Sequence, residues 1–223
     1  MKKFKGLILG AVALLFTSEA YTPVIAGSAD FAGPYIAIRA GAHGGAMDGT
    51  ATNNNSEVTS GTLGKTWGDV GVQVGWSIPI GSSFLLGLDF SLNPGSGKIN
   101  LDAGGGDSGA NANDISVEAG DIRSASIMPM ISVSDSSAVY IKAGISHADL
   151  TWTGDVNTDL NSSMMGTAVG IGSRTMYGTG IFIQTEAGFV DWDNMDVLRK
   201  ANKGSASVDT ESVYGAVSIG FRF

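Results

Sequence analysis

The chain has 223 residues, of which 43% are hydrophobic and only 15% charged, with 33 glycines and a net charge of −8. This length permits one domain with a real core, whereas low charge with abundant glycine argues against a coiled coil or a charged disordered tail. The negative charge argues against a nucleic-acid partner, and the absence of cysteine excludes disulfides and thiolate metal sites.

Residues 1–26 have the pattern of a secretory signal peptide. Three lysines precede an apolar stretch from Gly6 to Phe16, which is too short to span a bilayer as a helix. We place the cleavage after Ala26, with Ala20 as the alternative, so that residues 27–223 form the mature domain. Since the segment carries three lysines and one glutamate, the mature chain has a net charge of about −10.

Seven later segments alternate apolar residues with small or polar ones. In chain order they are "PYIAIRAGAH", "DVGVQVGWSIP", "SFLLGLDFSLN", "AVYIKAGISH", "MGTAVGIGSRTM", "GIFIQTEAGFV" and "VYGAVSIGFRF". On a helix the apolar residues of these segments would scatter round the axis, whereas on a strand they form one stripe. The pattern therefore predicts seven β-strands.

We expect an eighth strand, fourth in chain order, between Asp114 and Val133, where the alternation is broken. Ile115 and Val117 share a parity with Asp121 and Arg123, so a bulge is expected and neither face of this strand is assigned.

The connections between these strands alternate in length. Tight turns are predicted at 79–82, 134–137 and 177–180, and long loops at about 43–65, 93–113, 151–163 and 191–212. This alternation predicts an all-β, eight-stranded antiparallel up-and-down barrel with all long loops at one end.

Alternation alone fits either a soluble lipocalin-like barrel or a membrane barrel, in which the apolar face points to lipid. The asymmetric loops favour the membrane barrel, and so does a polar face that is mostly Gly, Ala and Ser with sparse mixed charge. We predict a polar network in the lumen made of Arg39, Asp69, Gln73, Asp89, Lys142, Arg174, Glu186 and Arg222. We predict aromatic side chains at the membrane interface at Trp76, Phe84, Phe221 and Phe223.

The segments "GPYIAIRAG", "VGVQVGW", "LGLDFSL", "VYIKAG" and the final "VSIGFRF" resemble the small outer-membrane β-barrels of the opacity-porin and OmpA/OmpX-like group, over residues 33–223. The resemblance implies a place in the outer membrane of a Gram-negative bacterium, with short turns and both termini on the periplasmic side. It also implies that the barrel-insertion machinery reads the terminal Phe223. Outer-membrane lipid and lipopolysaccharide are the expected surroundings of the barrel.

Candidate chemistry is sparse. His147 with Asp149 offers a general base for an enzyme at the rim, but we interpret His43 and His147 as solvated rim residues. The acidic runs "DAGGGDSGANAND" and "DWDNMD" are interpreted as solvated loops, because neither matches a known calcium-binding loop. We predict no catalytic residue, metal or cofactor.

Three functions remain open from the sequence. The first is a structural or surface-interaction role, through extracellular loops that contact an unknown extracellular ligand. The second is a small porin for passive diffusion of small solutes, and the third is a rim enzyme that acts on lipid or peptide. We expect a lumen plugged by ion pairs among its mixed charges, which favours the first.

Overall fold

The computed structural model describes residues 27–52, 58–95, 97–101, 115–153, 161–198 and 205–223. A short 3₁₀ helix, Ser28–Phe31, precedes the sheet. The described residues form nine strands: β1 (Gly33–Thr52), β2 (Val58–Pro79), β3 (Phe84–Asn93), β4 (Gly97–Leu101), β5 (Ile115–Ser134), β6 (Ser137–Thr153), β7 (Asn161–Tyr177), β8 (Ile181–Leu198) and β9 (Ser205–Arg222). Within these ranges, no helix is long and apolar enough to cross a membrane.

The nine strands close into a barrel of eight positions. β3 and β4 both pair with β5, so these two short strands occupy one position in the wall. All neighbouring strands are antiparallel, and the last strand β9 pairs with the first strand β1. The predicted eight-stranded antiparallel up-and-down barrel is therefore confirmed.

The three short connections lie at one end of the barrel, together with Gly33 and Phe223. We call this the turn end and the opposite end the loop end. The strands extend further toward the loop end than the sequence predicted: β1 runs to Thr52 and β2 begins at Val58, within the segment expected to be a loop. The loops predicted at 93–113, 151–163 and 191–212 are likewise partly strand. The predicted bounds of these loops were therefore too wide, because alternation weakens wherever neither face of a strand meets lipid.

The two faces of the barrel differ as the membrane interpretation requires. Apolar side chains cover the outside, as shown by Ile38, Ile141 and Ile219, which are 66%, 64% and 61% exposed. Polar and charged side chains such as Lys142 and Arg174 are buried inside. An apolar outer surface around a polar interior is the reverse of a soluble barrel and is the arrangement of a transmembrane β-barrel.

A bulge in β5 explains the broken alternation of this strand. Gly120 pairs with Asp149 and Arg123 with His147, so two residues of β5, Asp121 and Ile122, lie opposite one residue of β6. Asp121 has a φ of 47°, a left-handed conformation that aspartate tolerates better than most residues. The extra residue switches the parity of the strand, which places Ile122 inside and Arg123 outside.

Toward the loop end, the described part of the chain leaves one edge of β2 without ladder partners. β2 pairs with β3 only from Val72 to Pro79. β3 ends at Asn93, and Pro94 and Gly95 after it belong to no strand. β4 continues the wall on the side of β5, but it has no ladder to β2. Among the described residues, the edge of β2 from Val58 to Gly71 therefore has no strand partner.

Inward-facing glycines make room for large aromatic side chains on neighbouring strands. The four cross-strand pairs are Tyr35 with Gly75, Tyr140 with Gly172, Tyr214 with Gly188, and Phe182 with Gly220. In each pair a Cβ on the glycine would overlap the aromatic ring or its hydroxyl. Much of the glycine in this sequence thus serves packing inside the barrel, where aromatic rings lie across the backbone of a neighbouring strand.

Candidate functional site

The lumen is the best candidate site, because it collects the charged side chains that the sequence leaves unexplained. Its turn end is closed by an apolar cluster of buried residues: Phe31, Tyr35, Ala37, Leu85, Met128, Met130, Ala138, Tyr140, Met176 and Phe182. Phe31 belongs to the 3₁₀ helix and is fully buried. The Ser28 backbone N–H donates to Ser82 O at 2.8 Å and the Ser28 hydroxyl to Gly81 O at 2.6 Å, which attach the helix to the β2–β3 turn.

A fully buried arginine spans the lumen beside this cluster. The Arg174 guanidinium lies 4.1 Å from the centre of the Tyr35 ring and 4.7 Å from that of Phe182. Its Nε and Nη2 donate to Gln184 Oε1 at 2.9 and 2.7 Å, and Nη1 donates to Ser77 Oγ at 3.1 Å. Because β7 and β2 lie on opposite walls, Arg174 ties the two sides of the barrel together.

Lys142 forms the centre of an ionic layer in the middle of the barrel. Its Nζ lies 2.8 Å from Asp89 Oδ1 and donates to both Glu186 carboxylate oxygens at 3.2 Å. β3 and β8, which carry these two acids, are four positions apart and therefore face each other. The ammonium of Lys142 thus bridges two opposite walls.

Tyrosine hydroxyls and an amide complete the coordination of these carboxylates. Tyr35 donates to Asp89 Oδ2 at 2.7 Å, and Gln73 donates to the same oxygen. Tyr140 donates to Glu186 Oε2 at 3.0 Å. Buried charges are tolerated only when they are paired and hydrogen-bonded, and this layer meets both conditions.

A second charged group lies next to the ionic layer. Asp69 Oδ2 lies 3.1 Å from His43 Nε2 and 3.7 Å from Arg39 Nη1. The His43 ring stacks on Trp67 at a centroid distance of 5.4 Å, and the Arg39 guanidinium lies over the Tyr214 ring at 5.2 Å. His43 is only 6% exposed, so the prediction of a solvated rim residue was wrong for His43: its parity on β1 points the ring into the lumen.

Toward the loop end the lumen is again apolar. This cluster consists of Met47, Ile122, Ala148, Leu150, Met164, Ala168, Val190, Trp192, Val208 and Tyr214. Trp192 Nε1 donates to Ser212 Oγ at 2.9 Å, which satisfies its buried indole. Two cavities lined by described lumen residues have volumes of about 20 and 30 Å³, and each has space for an isolated water rather than for a solute.

All eight residues predicted for the polar network point into the barrel, but the structure divides them. The network joins Asp89, Lys142, Glu186 and Gln73, and a separate pair joins Arg39 and Asp69. Arg174 contacts an amide and a hydroxyl, and Arg222 Nη1 donates to Ala32 O at 2.7 Å. The expectation that these two arginines pair with lumen carboxylates finds no support among the described residues.

Sequence reasoning missed the residues that complete the network: Tyr35, Tyr140, Tyr214 and His43. The parity of each tyrosine was a usable signal, since each shares the face of a predicted lumen charge on its own strand.

The four aromatic residues predicted at the membrane interface are exposed near the turn end. Their exposed fractions are 55% for Trp76, 56% for Phe84, 42% for Phe221 and 71% for Phe223. The rings of Phe221 and Phe223 meet edge to face at 5.3 Å. Contact of these rings with the interface remains a prediction.

His147 and Asp149 face outward. His147 Nδ1 lies 3.8 Å from Asp149 Oδ1, beyond a hydrogen bond, and Arg123 Nη2 donates to Asp149 Oδ2 at 3.1 Å. Within the described ranges, no group of three or more His, Asp or Glu side chains is placed to hold a metal ion. The signal segment 1–26 and the acidic run 102–114 lie outside the described residues.

Comparison with known proteins supports the fold. No protein-family model matches the sequence, and the comparison with curated proteins found no match. The outer membrane protein OprG of Pseudomonas aeruginosa is similar in structure, with a TM-score of 0.56 at 14% identity over 86% of this chain and 96% of OprG.

Two further solved structures match less well. The attachment invasion locus protein Ail of Yersinia pestis has a TM-score of 0.46 at 12% identity, over 83% of this chain and 99% of Ail. The outer membrane protease OmpT of Escherichia coli has a TM-score of 0.47 at 8% identity, over 93% of this chain and 99% of OmpT. The likeness to OprG shows that this chain has the fold of the small outer-membrane β-barrels.

Proposed function

We propose that this outer-membrane β-barrel is a non-conducting structural protein that presents its loop end for contacts at the cell surface. The observation that carries the proposal is the bridge from Lys142 to Asp89 and Glu186 across the lumen. A side chain that binds both walls at the middle of the barrel occupies the path that a solute would take.

The layers above and below this bridge support a closed lumen. Phe31, Tyr35 and Phe182 fill the turn end, and Met47, Leu150 and Trp192 fill the loop end. An eight-stranded barrel has room inside only for its own side chains. A porin of this size would need a continuous polar path along the lumen. Here an apolar layer lies on each side of the ionic layer.

The length of the strands supports a role outside the membrane. A tilted strand needs about 9–11 residues to cross the hydrocarbon layer. β1 has 20 residues, β2 has 22 and β9 has 18, so the wall continues well beyond the membrane at the loop end. This raised wall and the connections above it form a surface for an extracellular ligand.

Planar-bilayer recording with the purified full chain tests the closed lumen. We expect no steady conductance above that of the empty bilayer, with a general porin as the positive control. Steady, ion-dependent steps from the folded protein would favour the small porin instead.

The surface role needs a cellular test. A bacterium that expresses the chain is compared with its deletion strain for adherence to host-type cell layers and for resistance to detergent. An increase in adherence supports surface contact, and an increase in detergent resistance supports envelope integrity. If both strains behave alike in both assays, the proposed role is wrong.

The rim enzyme is the alternative from a different class. The geometry does not favour it, because Arg123 holds the carboxylate that would orient His147. If the chain cleaves lipid or peptide and His147→Ala abolishes that activity while the barrel stays folded, the enzyme replaces the structural role.

Phe223 is the residue that we expect the barrel-insertion machinery to bind during assembly. The Phe223 backbone N–H donates to Pro34 O at 3.0 Å, which joins the chain end to the first strand, while its ring stays exposed. We expect deletion of Phe223 to slow insertion by the barrel-insertion machinery, as measured by the rate at which heat-modifiable protein appears in outer membranes.

A further inference from the structure

The outer face of β5 and β6 carries a polar cluster at the edge of the apolar surface. Arg123 Nη2 lies 3.1 Å from Asp149 Oδ2 and 4.0 Å from Asp121 Oδ2, and His147 is the cross-strand partner of Arg123. The side chains of Arg123, Asp121 and Asp149 are 56%, 53% and 47% exposed. The cluster lies on the loop-end side of Ala125 and Ile145, so it faces the outer half of the membrane.

A groove runs from this cluster into the apolar surface. Its volume is about 440 Å³, and its outward-facing lining includes Val74, Phe90, Arg123, Ala125, Ile145 and His147. The strand register explains the depression, because the small side chain of Ala125 lies between Phe90 on one neighbouring strand and Ile145 on the other. Phe90 and Ile145 are both 54% exposed and form the two sides.

The combination matches a binding site for an amphiphile. Ligand sites of about 300–1,000 Å³ are mostly apolar and carry a few polar groups that fix orientation. Here the apolar part opens toward the hydrocarbon of the membrane and the polar groups stand at its outer end. An acyl chain in the groove would bring its head group next to Arg123 and Asp149.

The charges of the cluster select the head group. One guanidinium and two carboxylates leave no net positive charge to attract a simple phosphate, and His147 adds a ring that can donate or accept. Alternating donors and acceptors suit the hydroxyl and amide groups of a sugar. We propose that the groove binds one acyl chain of an outer-leaflet glycolipid, whose sugar head group is hydrogen-bonded by Arg123 and Asp149.

Retention of lipid by the purified full chain tests this site. Protein folded in detergent is mixed with lipopolysaccharide that lacks its polysaccharide, or with phosphatidylglycerol, which has acyl chains and negative charge but no amino sugar. Bound lipid is counted by native mass spectrometry. We expect the glycolipid to be retained about tenfold more strongly than phosphatidylglycerol.

Two variants separate the groove from the cluster. Ala125→Trp fills the groove, and Arg123→Gln removes the charge that contacts Asp149 while leaving the apolar lining intact. Each is expected to weaken glycolipid retention about tenfold. The matched control is Ala143→Trp, which adds the same ring to the outer face of β6 outside the groove and should leave retention unchanged.

Heat-modifiable migration on gels confirms that each variant is folded. Equal retention of both lipids by the unaltered chain would overturn the proposal. It would also be overturned if folded Ala125→Trp and Arg123→Gln retained the glycolipid as well as the Ala143→Trp control. The readout is lipid retention, so a failure here leaves the closed lumen and the surface role untouched.

Discussion

The role of each lumen residue in this barrel depends on the partners that other strands bring into contact with its side chain. The alternation of the sequence predicted which charges point inward, and the structure places those charges inside. The alternation did not predict that Lys142 pairs with two carboxylates whereas Arg174 pairs with none among the described residues. The choice of partner depends on the order of the strands around the barrel and on the position of each residue along the barrel axis. His43 shows the same limit of sequence reasoning. Because β1 continues to Thr52 instead of ending near residue 43, the inward parity of His43 places its ring in the lumen.

Substitution of Lys142 by methionine should destabilise the barrel strongly. Lys142→Met leaves Asp89 and Glu186 as buried carboxylates without their cation, and breaking such a buried pair costs about 3–5 kcal/mol. The free energy of unfolding in urea, measured in lipid or detergent, checks this value. The triple variant K142M/D89N/E186Q is the control and should recover most of the loss. A K142M variant as stable as the unaltered chain would contradict the bridge.

Gly172 offers a test of the packing of the Tyr140 ring against its neighbouring strand. In Gly172→Ala the new Cβ overlaps the Tyr140 hydroxyl and the carbonyl of Thr185, so the ring must move away from Glu186. We expect a loss of about 1–3 kcal/mol in the same unfolding measurement. Gly215→Ala is the control, because a Cβ there meets nothing within 4 Å, and equal effects of both changes would refute the packing account.

The elements show where local pattern reaches its limit. Strands next to lipid were predictable, because one face must be apolar along the whole membrane width. The extensions beyond the membrane, such as 43–52 in β1, carry Gly and Ala on both faces and look like loop in the sequence. The break between β3 and β4 had a readable cause in Pro94 and Gly95, and the broken parity at Asp121 correctly indicated a bulge.

Hydrogen exchange tests whether the edge of β2 from Val58 to Gly71 is uncovered, as the described residues leave it. Between Val58 and Gly71 this strand pairs with β1 on one side, and the described residues supply no partner on the other. Amides that point to the free edge should exchange quickly, whereas those that point to β1 stay protected. β1 is the internal control, because it pairs on both sides from Tyr35 to Thr52. Slow exchange at every amide of this part of β2 would show that another segment covers the edge.

At the scale of the whole molecule, the barrel is an apolar cylinder around an interior of its own side chains. The apolar outer surface is that of a membrane barrel, and apolar and ionic layers of side chains alternate along the described part of the lumen. Both properties follow from one parity rule along each strand. The rule was visible in the sequence, but the cross-wall contacts of Lys142 and Arg174 were not, because no single strand contains both partners of such a contact.

The natural absence of cysteine permits the most direct test, which is the chemical accessibility of single thiols in the protein inserted in lipid bilayers. We expect Ser126→Cys in the lumen to react with neither a charged aqueous thiol reagent nor a lipophilic maleimide. Ile141→Cys should react only with the lipophilic maleimide, and Ser136→Cys in an exposed turn should react with the aqueous reagent. Rapid aqueous labelling of Ser126→Cys in the folded barrel would reveal a water-filled pore, and aqueous labelling of Ile141→Cys would show that the apolar surface does not face lipid; either result contradicts the account.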